Sequence, residues 1–303
     1  MTEPASLTLP CPAKLNLFLH ITGRRNDGYH SLQTVFQILD YGDELSFRAR
    51  SDGELLLNCT GPQGLGDIAG ADNLVLRAAE LLRAEAGQRE LGADLALAKQ
   101  LPIGGGVGGG SSDAASALLG LNWLWGLNYD DEHLARIGRS LGADVPVFVR
   151  GDSAWAEGVG EELRPLSLPQ RWYLVIHPGC HVSTQAVFSH PELTRDTPAI
   201  TIPAFFAGPT RNDCQTLVRR LYDPVDKALI WLGNFGDARM TGTGACVFCE
   251  FASEGEARDV KARIPDPWQG FVARGVNRSA AREQLPERRP KSGIRSGYRK
   301  AGG

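Results

Sequence analysis

Residues 102–115 read PIGGGVGGGSSDAA, with Gly104, Gly105, Gly106, Gly108, Gly109 and Gly110 packed into seven positions. Glycine at that density costs backbone entropy on folding and adds no side chain to a core. The composition is that of a backbone which something must approach closely. Pro102 ends the apolar/polar alternation of ADLALAKQL, and the cap-type residues Ser111, Ser112 and Asp113 lead into an Ala-rich helix expected over Ala114–Trp125. Bare N–H groups ahead of a helix N-terminus form an anion site, and phosphate is its usual occupant. A Walker A loop needs a lysine after its glycines, and none follows here. A GxGxxG pattern fits Gly104, Gly106 and Gly109, with Asp130 or Asp131 about twenty residues on. A run this rich in glycine all but guarantees that match, and no hydrophobic parallel-strand run precedes it.

Three further places carry groups suited to chemistry. In AKLNLFLHITG, Leu15, Leu17, Leu19 and Ile21 share one strand face, while Lys14, Asn16, Phe18 and His20 share the other. Taken alone, that second face is expected to be solvated and Lys14 to be a surface lysine. Asp144 in LGADVPVFVRG precedes Pro146, which reads locally as a helix N-cap or tight turn. A second glycine turn, TGTG at 241–244, precedes the strand ACVFCEF. Cys246 and Cys249 have CxxC spacing, but positions three apart on a strand face opposite ways, which does not suit chelation. His177 and His181 are split by Pro-Gly, and a loop and strand-end role is expected for both.

The elements that position these groups run in mixed order. Strands are expected at 34–39, 44–50 and 55–59, then a helix capped by Asp72-Asn73 through Ala86, then the glycine loop with its helix, and a helix over 131–141. Beyond a boundary placed near Gly151, strands are expected at 153–157 and 172–176, helices at 213–221 and 224–232, a helix at 255–264 and a strand at 270–274. The absence of regular βαβ alternation points to an α+β fold.

With 303 residues, 42% hydrophobic and 22% charged, the chain suits two globular domains. The first ten residues lack a basic start, and no segment approaches the roughly twenty apolar residues of a membrane span. Six scattered cysteines suit free thiols in a reducing compartment. The expected address is cytoplasmic, with no membrane partner. Residues 281–303 hold seven Lys/Arg against two Glu, so the remainder is more acidic than the overall −3. That balance argues against a nucleic-acid partner. The tail, rich in Pro, Gly and Ser, is expected to be disordered.

Together, PAKLNLFLHITGRRNDGYHSLQT, LPIGGGVGGGSSDAA and MTGTGACVF resemble the three ordered motifs of the superfamily of galactokinase, homoserine kinase, mevalonate kinase and phosphomevalonate kinase (GHMP). Within it, AKLNLFL with GYHSLQTVFQ, LGADVPVF and GTGACVF is similar to the branch acting on a cytidine-diphosphate-linked methylerythritol. The likeness runs from Pro12 to Ser279 and is looser over 182–188. It implies a two-domain kinase with its active site in the cleft: residues 1–151 binding ATP, 152–280 binding the small-molecule substrate, and the tail outside. It implies ATP and Mg²⁺ as cofactors. Asp144 matches the catalytic base and Lys14 its partner. The glycine loop with Ser111 and Ser112, together with Asn73, Lys99 and Pro102, matches the ATP site. Asn16, Tyr29, His30, Thr184, Phe188, Gly242 and Gly244 match the substrate site, with Tyr29 and Phe188 as a sandwich for cytosine. A sister kinase acting on homoserine or mevalonate, or a nucleotide-binding module without catalysis, are the alternatives. Monomer and homodimer are both compatible with the sequence.

Overall fold

The N-terminal alternation becomes a strand of 19 residues, β1 (Ser6–Arg24), in the computed structural model, which describes residues 5–61, 70 and 72–287. A hairpin returns the chain as β2 (His30–Arg50), paired antiparallel with β1 through three register shifts. The two strands expected at 34–39 and 44–50 are therefore one. Asp43, between them, turns inward and accepts from the backbone N–H of Gln100 (2.5 Å) and Leu101 (2.8 Å) instead of opening a turn.

The chain continues as β3 (Leu55–Thr60), α1 (Leu74–Ala86), β4 (Gly92–Ala98), α2 (Gly109–Leu124), α3 (Asp131–Arg139), α4 (Val145–Arg150), β5 (Ala154–Glu157), β6 (Glu162–Pro165) and β7 (Trp172–His177). Then follow α5 (Thr184–Ser189), α6 (Ile202–Ala207), α7 (Gln215–Leu221), α8 (Asp223–Leu232), β8 (Arg239–Met240), β9 (Val247–Phe251), α9 (Glu254–Lys261), β10 (Gln269–Val276) and α10 (Ala280–Gln284). Helix and strand are mixed without βαβ alternation, which is the α+β class. Among the described residues no helix is long and apolar enough to cross a membrane.

β2 is the spine. Besides β1 it pairs with β4 through 44–50, with β10 through Ile38 and Leu39, and with β5 through 34–36. β10 carries the sheet on to β7, β9 and β8, so a single sheet runs in the order β3-β4-β2-β10-β7-β9-β8. Gly151 ends α4, and of the strands just after it β5 pairs with β2 and β6 with β5.

Three apolar cores flank this sheet. One buries α1 and α2 against β1, β2 and β4; one lies under α7, α8 and α9; the third, holding Leu15, Phe18, Trp155, Tyr173 and Phe248, joins them. Cys246 and Cys249 pack into different cores, as opposite faces require.

Three expectations need correction. The polar face of β1 is not solvated: Lys14, Asn16, Phe18 and His20 are all buried, because the glycine loop and the second half of the chain cover it. α2 starts at Gly109, not Ala114, with Gly108 as a left-handed N-cap, so Ser111, Ser112 and Asp113 lie inside the first turns and cap nothing. The expected disorder does not extend to residues 281–287. There α10 packs on β1, Arg282 pairs with Asp131 at 2.6 Å and the Trp123 indole donates to the Glu287 carbonyl at 3.2 Å. Residues 288–303 lie outside the described residues. α5, α6, α10, β6 and β8 were not expected from the sequence.

Candidate active site

Lys14 sits where β1 shifts register between Pro12 and Lys14, and its backbone N–H donates to the Val107 carbonyl of the glycine loop at 2.9 Å. Its ammonium is buried and fully engaged. It donates to Asn16 Oδ1 (2.6 Å) and the Gly106 carbonyl (3.0 Å) and faces Asp144 Oδ2 at 3.2 Å, above the Phe36 ring. Asp144 precedes α4, but its side chain caps nothing, and about a third of it is exposed. Asp144 thus holds the N-cap position the local reading expected, but its carboxylate is held by Lys14, from 130 positions earlier in the chain, and makes no capping bond.

Two cavities meet at Asp144. The larger, about 600 Å³, is lined by Lys14, Asn16, Tyr29, His30, Thr184, Phe188 and Gly242. The other, about 460 Å³, is lined by Asn73, Lys99, Pro102 and all six glycines of the loop. Gly106, Ser111 and Asp144 line both. A phosphoryl group on the loop and a hydroxyl in the larger cavity would thus meet beside one carboxylate.

The close approach that the glycines permit is partly internal. Gly106 has φ +75°, and a Cβ there would lie 2.6 Å from the Thr241 carbonyl oxygen and 2.9 Å from that of Gly244. The second glycine turn is therefore pressed against the first. Thr241 Oγ1 accepts from the Asn16 N–H (2.9 Å), and Asn212 Nδ2 donates to the Met240 and Gly242 carbonyls. Gly242 lines the larger cavity. Gly244 lines neither, and its contribution is this backbone contact.

Other expected residues are placed differently from one another. Asn73 caps α1 through Val75 N–H (2.8 Å) at the rim of the smaller cavity. Ser112 is fully buried and lines neither cavity, because it falls on the inner side of α2. Lys99 lines the smaller cavity, but its ammonium is held by Asp113 (2.7 Å) and by Asp43. Burial pushes the Asp113 carboxyl up to about 7; the Lys99 charge opposes this and the Asp43 carboxylate adds to it. Asp113 Oδ1 has no partner in this pocket wall.

In the larger cavity Tyr29 is largely exposed, and the Phe188 ring stacks on His30 with centroids 5.2 Å apart and planes at 27°. Thr184 and Thr243 join their hydroxyls at 2.9 Å across the cleft wall. Burial, then the charges of Arg195 and Arg24, pull the His30 imidazole below its ordinary range. Sequence reasoning missed Thr34, Phe36, Thr243 and Arg195. Phe36 is the β2 partner of Asn16, and Thr34 accepts from Asn16 Nδ2 at 3.0 Å. The expectation of a buried hairpin would have brought both into view. Arg195 lies in an irregular loop and carried no signal.

Comparison with known proteins shows the family. Residues 73–152 match the N-terminal domain of GHMP kinases and residues 202–270 their C-terminal domain. The 4-diphosphocytidyl-2-C-methyl-D-erythritol kinase of Alkalilimnicola ehrlichii is 58% identical over 267 residues, 88% of this chain and 90% of that one. The Pseudomonas aeruginosa enzyme of that name is 54% identical over 282 residues, 92% and 97% of the two chains. A crystal structure of 4-(cytidine 5'-diphospho)-2C-methyl-D-erythritol kinase aligns with TM-score 0.76 and 33% identity, covering 89% of this chain and all of that one. Homoserine kinase from Cytophaga hutchinsonii, at 16% identity and TM-score 0.62, shares the fold. The chain belongs to the 4-diphosphocytidyl-2-C-methyl-D-erythritol kinase family of the GHMP kinases.

Proposed function

We propose that this chain transfers the γ-phosphoryl group of ATP to the 2-hydroxyl of 4-diphosphocytidyl-2-C-methyl-D-erythritol, a step of the non-mevalonate route to isoprenoid precursors. The observation that carries the reading is Asp144, on the wall common to both cavities and paired with Lys14 of the larger one. In this reading ATP occupies the smaller cavity, its phosphates against the loop N–H groups and the N-terminus of α2. The acceptor occupies the larger one.

Phosphoryl transfer asks mainly for positioning and neutralised charge. The acceptor oxygen forms its bond to Pγ as the bond from Pγ to the β-bridging oxygen breaks, and Asp144 takes the hydroxyl proton. General-base help of this kind is worth roughly 10²–10⁴-fold. Lys14 holds the Asp144 carboxylate in place, and its other two donors fix it to Asn16 and the loop. Mg²⁺ would come with the nucleotide and supply positive charge that offsets the negative charge of its phosphates. Tyr29 and Phe188 grip the cytosine by stacking, worth about 1–3 kcal/mol per base in single-strand binders. His30 and Thr184 supply polar contacts.

The test is ADP release with the cytidylyl substrate, its uridylyl analogue, mevalonate and homoserine, with the product located by phosphorus NMR. ATP-dependent turnover confined to the cytidylyl substrate is expected. Equal turnover on mevalonate or homoserine would overturn the reading.

A further inference from the structure

Arg195 lines the larger cavity, yet none of its donors is free for a substrate. A guanidinium has five N–H groups. Nε donates to His30 Nε2 at 3.0 Å. Nη1 donates to the carbonyls of Leu193 (3.0 Å) and Pro191 (3.4 Å), and Nη2 to those of Phe188 (3.0 Å) and His190 (2.6 Å). Five donors thus meet five acceptors. Four of them lie on the segment that ends α5 and carries Phe188, and the fifth is the ring at the start of β2. The residue is built to join two walls of the cavity.

This joint dictates protonation. Arginine does not give up its proton in proteins. His30 Nε2 must then present its lone pair, since a hydrogen there would point at the guanidinium N–H. The ring is therefore neutral with its hydrogen on Nδ1, whereas a free neutral imidazole in water favours the Nε2–H form. Burial and the positive charges of Arg195 and Arg24 act in the same direction by disfavouring the imidazolium. Nδ1 has no partner among the described residues, and it belongs to a ring lining the cavity.

We propose that Arg195 is the positioning residue of the pyrimidine pocket, fixing His30 as its Nδ1–H tautomer so that a hydrogen-bond donor faces the base edge. The proposal rests on the cytidylyl reading above and adds the source of its base preference. Cytosine offers N3 as an acceptor to such a donor, whereas uracil carries a hydrogen on N3 and sets donor against donor. Lysine cannot replace this arginine. It has three donors on a point charge and cannot reach five acceptors fanned in one plane.

The experiment uses the full chain with nitrogen-15 labelling, reading His30 through long-range proton–nitrogen correlations assigned with His30→Gln. Wild type is expected to show Nδ1–H, and Arg195→Met to revert toward Nε2–H. In kinetics, Arg195→Met should raise KM for the cytidylyl substrate tenfold or more and shrink its preference over the uridylyl analogue. KM for ATP and kcat at saturation should stay within about twofold, and Arg195→Lys should behave like the methionine variant. An Nε2–H tautomer in wild type would overturn the proposal without any variant needing to fold. Unchanged cytidylyl KM and base preference in a folded Arg195→Met would also overturn it. If wild type fails to turn over the cytidylyl substrate, the kinase reading falls, while the tautomer of the free protein still decides whether Arg195 sets His30.

Discussion

Replacing Gly106 by alanine tests whether the two glycine turns must touch for the site to form. Two costs follow from the structure. The backbone at φ +75° is left-handed, which costs a residue with a Cβ about 1–2 kcal/mol. The new methyl would also stand 2.6 Å from the Thr241 carbonyl oxygen, a backbone atom, and must move out to the about 3.4 Å of ordinary contact. That retreat pulls the Gly106 carbonyl away from Lys14 Nζ and Thr241 Oγ1, and the Gly105 carbonyl away from the Cys246 N–H. At about 1 kcal/mol for each of the three hydrogen bonds weakened, the variant should lose roughly 4–5 kcal/mol in all. A melting temperature lower by roughly 6–8 °C corresponds to that loss in a chain of this length. A displacement approaching 1 Å beside the reacting groups can also cost up to ~10²-fold in turnover.

Gly104→Ala is the internal reference. Its φ is +69°, but its methyl would meet only the end of the exposed His181 side chain, which can swing away. It should pay the backbone cost alone and keep most of its turnover. Thermal unfolding with ADP-release kinetics on the two variants separates strain from contact. If Gly106→Ala melts with Gly104→Ala and turns over within threefold of wild type, the contact between the turns does not hold the site together.

Asp113→Asn should flatten the pH dependence of stability. Because the folded-state carboxyl of Asp113 is raised to about 7, it favours folding fully below the ordinary carboxylate range and loses that contribution as pH rises toward 7. Wild type should therefore lose more melting temperature between pH 5 and 8 than Asp113→Asn, and parallel profiles would contradict this. Tyr29→Ala and Phe188→Ala should each raise KM for the cytidylyl substrate about tenfold, the loss of one stacking face, with KM for ATP unmoved. Equal damage to both substrates would mean packing instead. Ending the chain at Ser279 should melt several degrees below ending it at Glu287, because only the longer form keeps α10, the Arg282–Asp131 pair and Leu285 against the first core. Identical melting would show that α10 contributes nothing.

The parts of the fold that local rules govern were legible. Asn73 caps α1, and the Cys246/Cys249 pair straddles a strand. What failed depends on a second covering layer. The alternation of β1 reads as half-buried, since nothing local announces that the glycine loop will bond to Lys14 and bury the polar face as well. Ser111 to Asp113 look like caps by residue type, but α2 starts earlier because the left-handed Gly108 turns the chain three residues before Ser111. The Lys14–Asp144 pair spans most of the first half of the chain, a distance that spacing cannot bridge, and only the resemblance of ordered motifs brought the two together. Arg195 satisfies carbonyls, which leave no trace in residue types.

The claim most exposed to test is that Asp144 takes the proton of the acceptor hydroxyl. Asp144→Asn keeps the size of the side chain, and no capping bond is lost, since Asp144 makes none. Single-turnover phosphoryl transfer from ATP to the cytidylyl substrate should slow roughly 10²–10⁴-fold in this variant. ATP affinity, read by direct titration, should stay within about twofold. A transfer rate close to that of wild type, with the protein folded and ATP bound, would contradict the assignment of Asp144 as the base.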